Sequence, residues 1–118
     1  MVSFKFIKAE RLLNRSDFLR LSKNGEKIAS RSFLVLYSPC KEKQTRLGVT
    51  VTKKIGHAPA RNRIKRLVRE YFRLNKHKIT SKCDINIIAK KEIALLSSKE
   101  IFLSLEDIFD KLHKRLET

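Results

Sequence analysis

Arg61, Asn62, Arg63, Lys65, Arg66 and Arg69 fall within nine consecutive positions, and Lys53 and Lys54 stand shortly before them. Guanidinium groups present planar forks of N–H donors that match phosphate oxygens, and ammonium groups supply compact positive charge. From Lys53 to Arg73 the chain holds eight cationic residues against one acid, Glu70. The chemistry on offer is the gripping of a polyanion rather than bond making or breaking. Paired-carboxylate motifs, a Gly-rich phosphate loop and a His/Cys/Asp metal cluster are all missing from the sequence. Cys40 and Cys83 are isolated, which favours structural or incidental thiols, and His57, His77 and His113 show no motif that would pair them with a nucleophile. No catalytic residue, no metal site and no protein-bound cofactor is expected.

The cations need an element to aim them. Pro59 suits the first turn of a helix, and Gly56 permits an unusual backbone turn just before it. From there Ile64, Leu67, Val68, Tyr71 and Phe72 recur at the spacing of one helical stripe. At about 100° per residue, Asn62, Lys65, Arg66, Arg69 and Arg73 project away from that stripe, with Arg61 and Arg63 flanking it. A solvated helix face usually mixes charge signs, because like charges at i,i+4 repel. Here Arg61, Lys65, Arg69 and Arg73 form a ladder of one sign. Cations in the first turn also oppose the helix dipole. A bound polyanion relieves both penalties, and helix N-termini suit phosphate.

The rest of the chain reads as scaffold. Residues 1–15 look like an irregular basic arm. Ser16 is the expected N-cap of a short helix over Ser16–Lys23, ending at Asn24-Gly25. Residues 26–32 read as a connection. Phe33–Tyr37 and Arg46–Thr52 read as two strands, expected to pair antiparallel through the polar turn Lys41–Thr45. The basic helix follows, from Pro59 to Leu74 or Asn75, then a basic loop over residues 76–82. Asp84–Ala89 reads as a third strand. Ser97 and Glu100 make a capping box for a last helix, whose stripe of Ile101, Leu105, Ile108 and Leu112 belongs to a core. The expected order is αββαβα, an α+β fold with a small mixed sheet packed by helices, in a single domain over residues 1–118.

Charge narrows the partner. The net charge is +16 on 118 residues. Residues 46–82 hold twelve cations and one acid, or +11, leaving +5 for the other 81 residues. So focused a patch predicts a polyanion and salt-sensitive association. Apolar residues make up 42% of the chain, enough for a core, and no apolar run approaches the roughly 18 residues of a membrane span. No membrane partner is expected, since the cationic face lacks the apolar residues an interfacial helix inserts. Lys5 and Lys8 interrupt the apolar N-terminal stretch, which is not a signal-peptide pattern. A cytoplasmic protein is expected.

The stretch KKIGHAPARNRIKRLVRE closely resembles the signature of the bacterial ribonuclease P protein subunit, centred on Arg-Asn-Arg followed by Ile-Lys-Arg. The remaining segments fit that family in order and length. The resemblance implies a fold like that of a ribosomal protein S5 domain, with a left-handed βαβ crossover where the general rule gives a right-handed one. It also implies an endoribonuclease whose catalyst is its RNA subunit, with Mg²⁺ bound mainly by that RNA. The protein, one per RNA, binds the ribonuclease P RNA and precursor tRNA and assists removal of the 5′ leader. Lys53, Lys54, Gly56, Arg61, Asn62, Arg63, Lys65 and Arg66 match the motif, and Arg69 continues its cationic face.

A second surface in that family, a cleft between the first helix and the sheet, takes the single-stranded leader. Phe18 matches its aromatic residue, whereas Ser22 stands where many relatives place a second one. On spacing alone Phe18 reads as a core residue, since aromatics at helical spacing are usually core. Strand parity leaves open whether Tyr37 and Phe33 or Leu34 and Leu36 face the cleft. Thr50 and Thr52 are expected on the cleft side if Leu47, Val49 and Val51 face the core. Two other classes compete with this reading. A ribosomal or RNA-chaperone protein would use the same helix only to bind structured RNA. A DNA-binding regulator would need a recognition helix placed as in helix-turn-helix proteins, which the pattern does not show.

Overall fold

The computed structural model describes residues 10–39, 45–79 and 82–116. The elements run α1 (Arg15–Asn24), β1 (Glu26–Ala29), β2 (Phe33–Pro39), β3 (Arg46–Thr50), α2 (Ala58–Asn75), β4 (Cys83–Ala89) and α3 (Ser98–Leu116). Single 3₁₀ turns at Lys53–Ile55, Lys76–Lys78 and Lys91–Leu95 punctuate the loops. The α+β class, with a mixed sheet packed by helices, is as the sequence predicts. Cys40, the turn at Lys41–Thr45 up to residue 44, and most of the N-terminal arm lie outside the described residues.

Two expectations about the sheet are corrected. Residues 26–29 are a strand, not part of a connection, so the order is αβββαβα. The strands at Phe33 and Arg46 do not pair with each other. The sheet order is β1-β2-β4-β3, with β4 antiparallel to β2 and parallel to β3. The reason is burial. Six of the seven β4 residues are buried, and β2 is nearly as enclosed. Strands covered on both faces belong inside a sheet. β3 carries Gly48 and Thr50 and takes the edge. That edge is partly covered: Arg11 bridges Leu47 in parallel, and the Leu12 N–H donates to the Leu47 carbonyl at 2.9 Å.

Helix ends also shift slightly. α1 begins at Arg15 after Asn14, and no side chain caps it, so Ser16 is not the cap. β3 stops at Thr50, leaving Thr52 to precede the 3₁₀ turn at Lys53–Ile55. The capping box of α3 forms as its sequence requires. The Ser97 N–H donates to Glu100 Oε1 at 3.1 Å, and the Glu100 N–H donates to Ser97 Oγ at 3.2 Å.

Alternation along the strands divides the molecule. One sheet face carries Ile28, Phe33, Val35, Tyr37, Leu47, Ile85 and Ile87, and α2 and α3 close over it with Ile64, Val68, Phe72, Ile101, Leu105, Ile108 and Leu112. The other face carries Leu34, Leu36, Gly48, Thr50, Asp84, Asn86 and Ile88. Its buried apolar cluster is only Leu12, Leu21 and Leu36, with Phe18, Leu34 and Ile88 packed against it. Parity therefore assigns Phe33 and Tyr37 to the main core and turns Leu34 and Leu36 toward α1.

Candidate nucleic-acid interface

α2 turns Ile64, Val68 and Phe72 into the main core. The opposite arc of the helix carries Asn62, Arg66 and Arg69, all exposed. Lys53 and Lys54 extend this surface from the preceding 3₁₀ turn, also exposed. Between turn and helix, Gly56 adopts φ 157° and ψ −172°, a conformation almost closed to other residues. No acid occupies the first turn of α2, so the helix dipole and the cations add their positive potentials there.

Three cations are less free than the sequence suggests. Arg63 is half-buried, and its Nη2 donates to Ser98 Oγ at 2.9 Å, tying α2 to the start of α3. Arg73 pairs with Glu70, which interrupts the one-sign ladder at its C-terminal rung. That contact holds the Glu70 carboxyl below its ordinary value. Arg61 is half-buried, and its Nε–H is buried without an acceptor among the described residues. An orphaned buried donor costs about 1–3 kcal/mol, and a phosphate oxygen is the kind of acceptor that would remove that cost.

Beside this surface lies a cleft of about 240 Å³, lined by Arg11, Leu12, Leu13, Phe18, Leu47, Gly48, Val49 and Arg69. Phe18 is half-buried and its ring lies directly on the Gly48 backbone. A Cβ at position 48 would stand 2.5 Å from the ring's Cε1. Glycine at that position is what lets the aromatic seat against the sheet. Leu13, 60% exposed, offers a second apolar contact at the cleft. Ser22 is exposed and is not part of the lining. Thr50 shares the sheet face of Gly48, and its Oγ1 donates to Asn86 Oδ1 at 3.0 Å. Thr52 is exposed beyond the strand end, where its carbonyl accepts the Ile55 N–H at 3.0 Å. Neither threonine lines the cleft itself.

Arg69 joins the two surfaces. It lies on the cationic arc of α2 and lines the Phe18 cleft. The sequence places it on the basic face but gives no sign of its contact with the cleft. Arg11 and Leu13 were likewise unmarked, because their part depends on the N-terminal segment running beside β3. An aromatic face, an apolar neighbour and flanking guanidinium groups make a stacking platform for an unpaired base with its phosphates neutralised.

Among the described residues no group of three or more His, Cys, Asp or Glu is arranged to hold a metal ion. Tyr71 stacks on Phe109 with centroids 5.1 Å apart, in the seam between α2 and α3. Burial, aided by the charges of Glu106 and Asp110, pushes its phenol up to about 12, so it stays neutral. Among the described residues no helix is long and apolar enough to cross a membrane.

The family model described as Ribonuclease P matches residues 6–113. The chain is 46% identical over 112 residues to the ribonuclease P protein component of Desulfatibacillum aliphaticivorans, covering 95% of each chain. It also resembles the solved RNase P protein of Staphylococcus aureus, at 37% identity and a TM-score of 0.85, over 89% of this chain and 96% of that one. The RNase P protein of Thermotoga maritima is similar at 35% identity and a TM-score of 0.77, covering 84% of this chain and 94% of that one.

Proposed function

The chain belongs to the ribonuclease P protein family, and on that premise we propose that it acts over residues 1–118 as a single RNA-binding domain, the protein subunit of a ribonucleoprotein endoribonuclease. It binds the ribonuclease P RNA and precursor tRNA and assists removal of the 5′ leader. The observation that carries this reading is the junction at Arg69, where the cationic arc of α2 meets the Phe18 cleft. One surface has the charge to hold a folded RNA, and the adjoining one has the shape to hold a single strand.

Each residue group has a distinct part. Lys53, Lys54, Asn62, Arg66 and Arg69 meet phosphates of the RNA subunit, with Lys65 at the edge of that face. Arg61 gains the acceptor its buried Nε–H lacks. Arg63 contributes from the seam with α3. Phe18 stacks on a leader base, and Arg69 neutralises a phosphate at the junction. Thr50 and Thr52 border the path of the strand. Binding of this kind positions the scissile bond and supplies no proton transfer, so catalysis resides in the RNA subunit. Mg²⁺ is bound mainly by the RNA. One protein serves each RNA, in the cytoplasm.

Reconstitution tests this directly. The purified protein, added to a bacterial ribonuclease P RNA at limiting Mg²⁺, is expected to restore precursor-tRNA cleavage that the RNA alone performs poorly. The protein alone is expected to cleave nothing. RNA binding without any gain in cleavage would support the RNA-chaperone reading instead.

A further inference from the structure

α1 has little apolar reason to stay on the sheet. Leu21 is its single buried residue, and the cluster beneath it is small. A network of four charges does what that cluster cannot. Asp84, on β4, is 1% exposed. Its Oδ1 accepts Arg46 Nε at 2.8 Å, and its Oδ2 accepts Arg46 Nη2 at 2.7 Å and Arg20 Nη2 at 2.5 Å. Asp17 lies 3.5 Å from Arg20 and 3.6 Å from Arg46. The network is neutral overall and spans α1, β3 and β4. It also brackets the cleft. Phe18 lies between Asp17 and Arg20 on α1, and Gly48 is two residues beyond Arg46 on the same face of β3.

We propose that Asp84 is a positioning residue for leader recognition: through Arg20 and Arg46 it fixes α1 against β3, and so holds the Phe18 ring seated on Gly48 as a platform for a leader base. The inference rests on the leader-binding reading of the Phe18 cleft. A buried carboxylate with two guanidinium partners has more capability than a strand end requires, because one partner already balances its charge. The second partner, Arg20, comes from the helix that carries the aromatic. Bidentate geometry from Arg46 fixes the carboxylate plane, and that plane fixes where Arg20 can reach.

Charge alone predicts the opposite outcome for the key variant. Asp84→Asn removes an acid from a protein that binds a polyanion, so simple electrostatics tightens binding. Positioning predicts weaker binding of leader-bearing RNA, by roughly 2- to 30-fold. The experiment measures the affinity of the reconstituted holoenzyme for a precursor tRNA and for the same tRNA without its leader. It uses wild type, Asp84→Asn, Arg20→Gln, Phe18→Ala and the Phe18→Ala/Arg20→Gln double variant, each with a thermal melt. Asp84→Asn and Arg20→Gln are expected to weaken only the leader-bearing substrate. In the Phe18→Ala background Arg20→Gln is expected to add little, since there is no ring left to position. The salt slope of Arg20→Gln is expected to match wild type, whereas loss of a phosphate contact lowers it by about 0.7. Arg20 is partly exposed, so its variant tests the idea even if Asp84→Asn fails to fold. A leader-specific loss in Phe18→Ala with none in either network variant overturns the positioning role alone. No leader-specific loss in Phe18→Ala overturns the cleft reading and this inference with it. Equal losses on both RNAs, tracking a lowered melt, show a network that is merely structural.

Discussion

The two faces of the sheet are built on different principles. The α2/α3 face is closed by a continuous apolar cluster in which Phe33, Phe72, Ile85, Ile87, Ile101 and Leu105 are almost wholly inaccessible. The α1 face has three buried apolar residues, a charge network and two buried polar side chains, Asp84 and Asn86. Stability is concentrated on the first face, and the proposed binding surface lies on the second and along its border with α2. A thin apolar layer leaves backbone and aromatic surface reachable, which a single-stranded ligand needs. Ion pairs then supply the fixed geometry that packing does not. The cationic arc of α2 can tolerate its own repulsion because the opposite stripe of the same helix is anchored in the thick core.

Substitutions at the two faces are expected to separate. Phe72→Ala opens a cavity in the main core and is expected to cost about 3–5 kcal/mol of stability. A urea titration reads that loss directly, and binding to every RNA falls with the folded fraction. Phe18→Ala is expected to reverse the pattern. Its ring is half-buried, so its truncation costs less stability than that of Phe72. Loss of a stacked base costs about 1–3 kcal/mol of affinity for leader-bearing RNA. If Phe18→Ala lowers the melt as much as Phe72→Ala does, the contrast between the faces collapses.

Acid sharpens the contrast further. Burial pushes the Asp84 carboxyl up, but the hydrogen bonds from Arg46 and Arg20 outweigh it and hold it below its ordinary value. A depressed folded-state value means stabilisation that is complete above the unfolded value of about 4 and is lost as pH falls from there through the folded value. Wild type is therefore expected to lose stability on acidification below about pH 4, and Asp84→Asn to lose less over the same window. Melts recorded through that range decide it, and identical pH profiles would remove the network as a contributor to stability.

Much of the thick face was legible in the sequence, because it is built from local periodicity. The stripe of α2, the stripe of α3 and the Ser97–Glu100 capping box each declare themselves within one element. The sheet was less legible, because its pairing is non-local. Nothing near Arg46 says that β3 lies parallel to β4 rather than beside β2. β1 has only Ile28 buried in four residues, too short a pattern to show alternation. The cationic face and its residues were readable from composition, but which cations already have partners was not. Glu70 and Ser98 claim Arg73 and Arg63 through tertiary geometry. Asp84 looked like a strand boundary, and only the fold brings Arg20 and Arg46 to it from 64 and 38 residues away.

The smallest expected effect belongs to the exposed arc. Arg66→Ala is expected to leave the melt unchanged, because the side chain is exposed. It is expected to lower the slope of log K against log salt for the RNA subunit by about 0.7–0.9. Arg63→Ala differs, since it also releases Ser98 at the start of α3, so a small drop in the melt accompanies its change in slope. An unchanged slope in both variants would show the arc to be a solvated surface.

The central claim is that this chain adds a leader-reading surface to an RNA enzyme. It is tested most directly by comparing the affinity of the RNA subunit, with and without the protein, for precursor tRNA and for mature tRNA. The protein is expected to strengthen binding of the leader-bearing substrate while leaving mature tRNA nearly unchanged. An equal gain on both substrates, or no gain on either, would contradict it.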